Sequence, residues 1–185
     1  PLAQRTFAPV LDDVNLEQAY ACANVVERLF IRVEADEATY NLHIMLRFGL
    51  ERALINQDLA LKDLPGEWNT QFKALFGLDV PDDRRGCLQD VHWSFGLVGY
   101  FPTYTLGNLY AGQFWEAAHR AMPSLDQDMS RGELGGLLSW LRTHIHVHGR
   151  RYQAEALCKR VTGKDLEAAP LLRHLEGKLR PLYRV

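Results

Sequence analysis

The stretch ADEATYNLHIMLRFGLERALI, Ala35 to Ile55, decides the fold. Ala35, Ala38, Leu42, Met45, Leu46, Leu50, Ala53 and Leu54 recur at three- and four-residue steps, the spacing of one face of an α-helix. That spacing predicts a single helix of about six turns. Glu51 and Ile55 lie one turn apart on it, and Asp58 closes it.

The same period continues on both sides. A second helix is expected after Asp63, an N-cap residue type, with Pro65 in its first turn and Gly77 as its stop. Asp79 to Gly86 (DVPDDRRG) has the composition of a loop. Gly107 to Ala121 reads as helix, stopped by Pro123. Ser130 and Glu133 have the spacing of a capping box that opens a helix ending at Gly149. Gln153 to Val161 follows, stopped by Gly163, and then Ala168 to Arg180, ended by Pro181. No run of alternating β-branched residues is long enough for a sheet strand. The expectation is an all-α bundle of about six helices forming a single domain over residues 1–185.

Bulk properties exclude several classes. The net charge of -2 gives no electrostatic case for nucleic acid or an anionic membrane. No apolar run approaches the roughly 20 residues of a spanning helix, and the first residues lack a signal-peptide pattern. Cys22, Cys87 and Cys158 are odd in number and include no CxxC pair, which points to reduced thiols and a cytoplasmic protein. The chain opens on Pro1 rather than Met, the mark of a processed, cloned or cleaved product.

Four segments could carry chemistry. In IRVEAD, Ile31 to Asp36, Arg32 offers a planar fork suited to a carboxylate. The plainer reading is a surface arginine beside Glu34, Asp36 and Glu37 in a helix's first turn. In QDVHW, Gln89, Asp90 and His92 stand close enough to orient one another, or form a hydrogen-bonded histidine in a buried turn. The glycines around them allow a backbone to approach a ligand closely. In GYFPTY, Tyr100 and Tyr104 could donate to a developing oxyanion, or with Phe101 be a core with polar tips. In HIHVHGRRY, His144 and His148 would share one helical face, but no HExxH exists and a third ligand is missing.

Taken together, IRVEAD, GCLQDVHW, GYFPTY with LGN behind it, and the closing HxHxxGRRY resemble the carboxypeptidase Taq family. These are zinc metallopeptidases that remove C-terminal residues from peptides. The resemblance runs from about Val26 to the C-terminus, and the IRxxAD and GxxQDxHW patterns are matched in full. It implies the C-terminal part of a larger, mainly helical metallopeptidase fold. The family's HPF, DxRxT and HExxH motifs and its last zinc ligand precede IRxxAD, and none is in this sequence. Arg28-Leu29-Phe30 departs from the proline-containing turn usual before Ile31.

Carried over by position, the resemblance assigns Arg32 to the substrate's terminal carboxylate, with Asp36 beside it. His92 would contact substrate or transition state, held by Gln89 and Asp90. Tyr104, and less directly Tyr100, would stabilise the oxyanion. Zinc is implied for the full-length enzyme and no metal is expected on this chain, so the isolated chain is expected to be inactive. The implied partners are a peptide C-terminus, the missing N-terminal part of the same enzyme, and a second copy in a homo-oligomer, with no nucleic acid and no membrane. Two other readings stay open. One is a stand-alone, non-catalytic module that binds peptides or another protein; the other is a new metal site from His144, His148 and Glu155.

Overall fold

A computed structural model describes residues 2–185, so Pro1 lies outside the described residues. Among them the chain is all-helical: α1 (Leu2–Thr6), α2 (Leu16–Ala23), α3 (Tyr40–Ile55), α4 (Leu64–Phe76), α5 (Pro102–Ala121), α6 (Leu125–Ser130), α7 (Gly135–His144), α8 (Ala154–Thr162) and α9 (Ala169–Tyr183), with four short 3-10 turns between them. Two compact units result. The first comprises the residues up to Pro102 together with Leu179–Val185, and the second is Thr103–Lys178.

The first unit is organised by α3 and α4. On α4, Leu64, Trp68, Phe72 and Phe76 follow one another at four-residue steps and are all buried. Burial of side chains this size contributes about 1.5–3 kcal/mol each. They meet Leu46 and Leu50 of α3 and Cys87 of the following loop. Phe72 stacks on Phe76 with centroids 4.4 Å apart, and Phe30 stacks on Phe72 at 5.6 Å. Pro65 and Gly77 sit where the sequence places them, but Asp63 caps without a side-chain hydrogen bond.

The long helix differs from its sequence reading in two ways. Regular α geometry starts at Tyr40, not Ala35; Thr39 is the N-cap residue without a side-chain cap, and the Asp36 carboxylate holds the turn that precedes it. Its Oδ1 accepts from the amides of Ala38 and Thr39, and Oδ2 from the Thr39 hydroxyl and the Glu27 amide. The core face is also rotated. Met45 is 59% exposed, whereas His43, Arg47 and Glu51 are buried alongside Ile44, Leu46 and Leu50.

In the second unit, Gly112 of α5 lets another helix approach: a Cβ there would lie 3.0 Å from the backbone of Leu171 on α9. Next to it, buried Gln113 donates to the Asp165 carbonyl and accepts from the Glu167 amide, latching the loop before α9. Three boundaries move relative to the sequence. α5 begins at Pro102, five residues before Gly107, since proline is at home in a first turn. Ser130 ends α6 rather than capping a new helix; its hydroxyl donates to the Gln127 carbonyl, and Gly132, at φ 78°, turns the chain. Pro181 lies inside α9 and does not end it.

Candidate functional site

The segment Gly86 to Phe101 has no regular helix beyond the 3-10 turn Trp93–Phe95. Gly96 and Gly99 take φ of 72° and 81°, conformations costly for other residues, and they let the chain reverse twice within a few positions. His92 stands at the head of this turn, and its carbonyl accepts from the Leu97 amide. The His92 ring packs on Phe101 at 4.4 Å and lies 5.8 Å from Tyr100.

Beneath His92 is a charged cluster. Asp90 Oδ1 accepts from Arg32 Nε at 3.0 Å and Nη2 at 2.7 Å, and Oδ2 accepts from Arg47 Nε at 2.6 Å. The side chains are 8%, 0% and 11% exposed for Arg32, Arg47 and Asp90, so these are interior ion pairs. Arg32 Nη1 also donates to the Tyr40 hydroxyl. Arg47 lies over Trp68 and Phe101 at 4.7 and 5.4 Å. Two guanidiniums share one carboxylate, leaving one net positive charge.

Burial alone raises the Asp90 carboxyl, but Arg47 and Arg32 outweigh it and hold it below the usual carboxylate range. Burial lowers Arg47 to about 10 against the pull of Asp90, which leaves it charged at neutral pH. Arg32 moves the other way: burial opposes its charge, yet Asp90 and Tyr40 raise it. His43, fully buried against Phe76 and Phe72, is lowered to about 4, first by burial and then by Arg47 and Arg32.

Several sequence-derived candidates converge here. Gln89 accepts from the Arg32 amide, and its Nε2 is shared among the carbonyls of Phe30, Arg85 and Gly86, so IRVEAD and QDVHW are stitched together. Gln89 also lines a cavity of about 630 Å³ with Ile31, Asp82, Arg84, Arg85 and Leu88. Other details differ from the sequence reading. Arg32 is a buried, paired residue, not a surface one. Asp90 Oδ1 is 3.9 Å from His92 Nδ1, beyond hydrogen-bond length, because both its oxygens serve arginines. Asp36 stands apart, its oxygens committed to the turn before α3 and to the Glu27 amide. Tyr104 lies in the first turn of α5, in the second unit.

Sequence reasoning missed Tyr40, Arg47 and Glu51. Glu51, 3% exposed, accepts on Oε1 from Trp93 Nε1 at 2.8 Å and from the Gly99 amide at 3.1 Å. The available signal was spacing: His43, Arg47 and Glu51 step by four along a helix whose neighbours are apolar.

The histidine-rich segment does not form one helical face. α7 ends at His144 and Ile145 breaks the geometry before the 3-10 turn His146–His148. His144 contacts Trp140 and His148 contacts Tyr152. Among the described residues no group of three or more His, Cys, Asp or Glu side chains is arranged to hold a metal ion. The donor set of a metallopeptidase centre is therefore not met by these residues.

Comparison with known proteins defines the class. The model of the carboxypeptidase Taq (M32) metallopeptidases matches residues 1–179, and the chain belongs to that family. Thermostable carboxypeptidase 1 of Thermus thermophilus is 46% identical over 183 residues, covering 99% of this chain and 36% of that protein. Carboxypeptidase 1 of Bacillus subtilis is 37% identical over 171 residues, covering 92% of the chain and 34% of that protein. The crystal structure of the M32 carboxypeptidase from Deinococcus radiodurans R1 superposes with a TM-score of 0.96 at 43% identity, covering 98% of this chain and 37% of that one. The chain thus spans about a third of the length of the relatives it matches. No described helix is long and apolar enough to cross a membrane.

Proposed function

We propose that these residues are the substrate-facing part of a longer zinc-dependent carboxypeptidase that releases C-terminal residues from peptides. The observation that carries this reading is the cluster of Arg32, Arg47 and Asp90 under His92, which holds one net positive charge in a largely water-excluded place. Such a charge favours an anion strongly, and a peptide's terminal carboxylate is the anion every carboxypeptidase substrate carries. Arg32, already oriented by Asp90 and Tyr40, is the group we assign to it. His92 and Tyr100 are the donors we assign to the scissile carbonyl.

The metal, in this reading, is held by residues outside these 185 and supplies the family's hydrolytic chemistry. The remainder of the enzyme is also the partner that covers Leu88, Val91 and Phe95, which are 71%, 62% and 76% exposed beside the site. The longer enzyme is read as a homo-oligomer of a reducing, cytoplasmic compartment. Cys87 and Cys158 fit that setting, since both are buried thiols raised by burial.

The test is release of the C-terminal residue from an N-blocked peptide, with zinc content and intact mass measured on the same samples. The 185-residue chain is expected to release none, and the longer zinc-loaded protein to turn over. His92→Ala in the longer protein is expected to lower kcat by about 10²–10⁴-fold. Turnover by the chain alone, or parent-level activity of the variant, overturns the reading. Peptide binding by the chain without turnover in any longer form favours the binding-module alternative.

A further inference from the structure

We infer that Glu51 is a positioning residue for His92 and Tyr100; the inference rests on the reading of those two as substrate-facing groups. Trp93 immediately follows His92, and Gly99 immediately precedes Tyr100. A single oxygen, Glu51 Oε1, accepts from the Trp93 indole and the Gly99 amide. It therefore pins the chain at one end of the turn and again at the other. The residues between, 94 to 98, are exposed. The bonds Gly96 N to Trp93 O and Leu97 N to His92 O shape the turn without tying it to α3.

The state of the carboxylate argues against a purely stabilising role. Glu51 is 3% exposed, and its Oε2 is buried without a hydrogen-bond partner. Among the described residues it makes no ion pair. A buried side-chain oxygen left without a hydrogen bond costs stability, and an apolar side chain of similar size would pack there at lower cost. What an apolar side chain cannot do is accept from two donors 42 and 48 positions away in sequence. Arg47, one turn earlier on α3, holds Asp90 on the other side of His92. Two residues of one helix thus hold the chain before and after the histidine, and Glu51 is the member that also holds Gly99, next to Tyr100.

Two readouts test this. In the full 185-residue chain with labelled indoles, Glu51→Ala should move the Trp93 Nε1–H resonance toward that of a solvated indole, and Glu51→Gln, which keeps an acceptor oxygen, should leave it near its place. In the longer peptidase, Glu51→Ala should lower kcat by about ten- to a hundredfold, the loss that a displacement near 1 Å produces. KM should change less than about threefold, and Glu51→Gln should restore kcat to within about threefold of the parent. An unmoved indole resonance in Glu51→Ala overturns the inference, and so does equal loss of kcat in the Ala and Gln variants. If Glu51→Ala does not fold, Trp93→Phe removes one donor and keeps the ring packing; parent-level kcat there overturns it equally. A longer protein without peptidase activity defeats the functional reading alone, and the indole measurement still decides whether Glu51 holds the turn.

Discussion

His43 makes the stability of the first unit fall with pH between 6.5 and about 4, above the range in which Asp36 and Asp90 lose theirs. It is wholly buried, with its ring 4.5 Å from Phe76 and 5.8 Å from Phe72. Neither ring nitrogen has a hydrogen-bond partner. Burial lowers its folded pKa from 6.5 to about 4, with Arg47 and Arg32 adding to the effect and Asp90 and Asp36 opposing it. Between those values the unfolded chain binds the proton and the folded chain does not. Stability is therefore complete above 6.5 and falls with pH toward 4. Integrating between 6.5 and about 4 gives a loss of about 2 kcal/mol by pH 5 and about 3 kcal/mol by pH 4, relative to pH 7.

The assay is urea unfolding at half-unit pH steps, for the parent and for His43→Leu, with the two curves subtracted. Subtraction removes His119, whose slope runs the other way: burial lowers it, but Asp126 and the Trp115 carbonyl outweigh that and raise it. It also removes Asp36 and Asp90. Both are lowered because their donors outweigh burial, so their contributions are lost only below the ordinary carboxylate range. A His43→Leu chain that keeps the parent's slope between pH 6.5 and 4, or a parent with no slope there, refutes the reasoning.

Two further outcomes follow from burial and close approach. Asp90→Ala strands Arg47 without its carboxylate in the interior and is expected to destabilise by about 3–5 kcal/mol, whereas Arg173→Ala, which breaks a solvent-screened pair with Glu116, should leave the midpoint close to the parent's; denaturant midpoints of the two variants check the contrast. Gly112→Ala places a Cβ 3.0 Å from the Leu171 backbone and is expected to cost about 1–3 kcal/mol, read as increased hydrogen exchange in α5 and α9.

What could be read from the sequence depended on how far apart the cooperating residues lie. The all-helical class followed from period alone, and the ends of α4 followed from Pro65 and Gly77, each a local signal. QDVHW and IRVEAD could be singled out because each is a contiguous run of polar and charged residues. Their stitching through Gln89 was not, since no spacing rule links positions 57 residues apart. The stripe on α3 misled for a physical reason. Periodicity assigns the most apolar arc to the core, so it favoured Met45, which is exposed, and passed over Arg47 and Glu51, which are buried. The same assumption made Arg32 a surface residue. Hydropathy has no way to score a charge whose counter-charge arrives from another segment.

That failure bears on function. His43, Arg47 and Glu51 form one row of polar groups inside an otherwise aromatic and aliphatic core, and each retains at least one ring or side-chain atom that burial penalises. A core selected for stability alone would replace such a row, since well-packed apolar residues are commonly neutral or better in place of buried charges. Departures from local rules of this kind are expected where a site must be held in place. Here two of the three residues end on the segment that carries His92, one through Asp90 and one through Trp93 and Gly99. The third, His43, lends its carbonyl to Arg47 Nη1. The stability this row forgoes matches its placement: α3 is a regular helix packed in the core, the turn it holds is exposed, and the proposed role of His92 requires that turn to be held from α3.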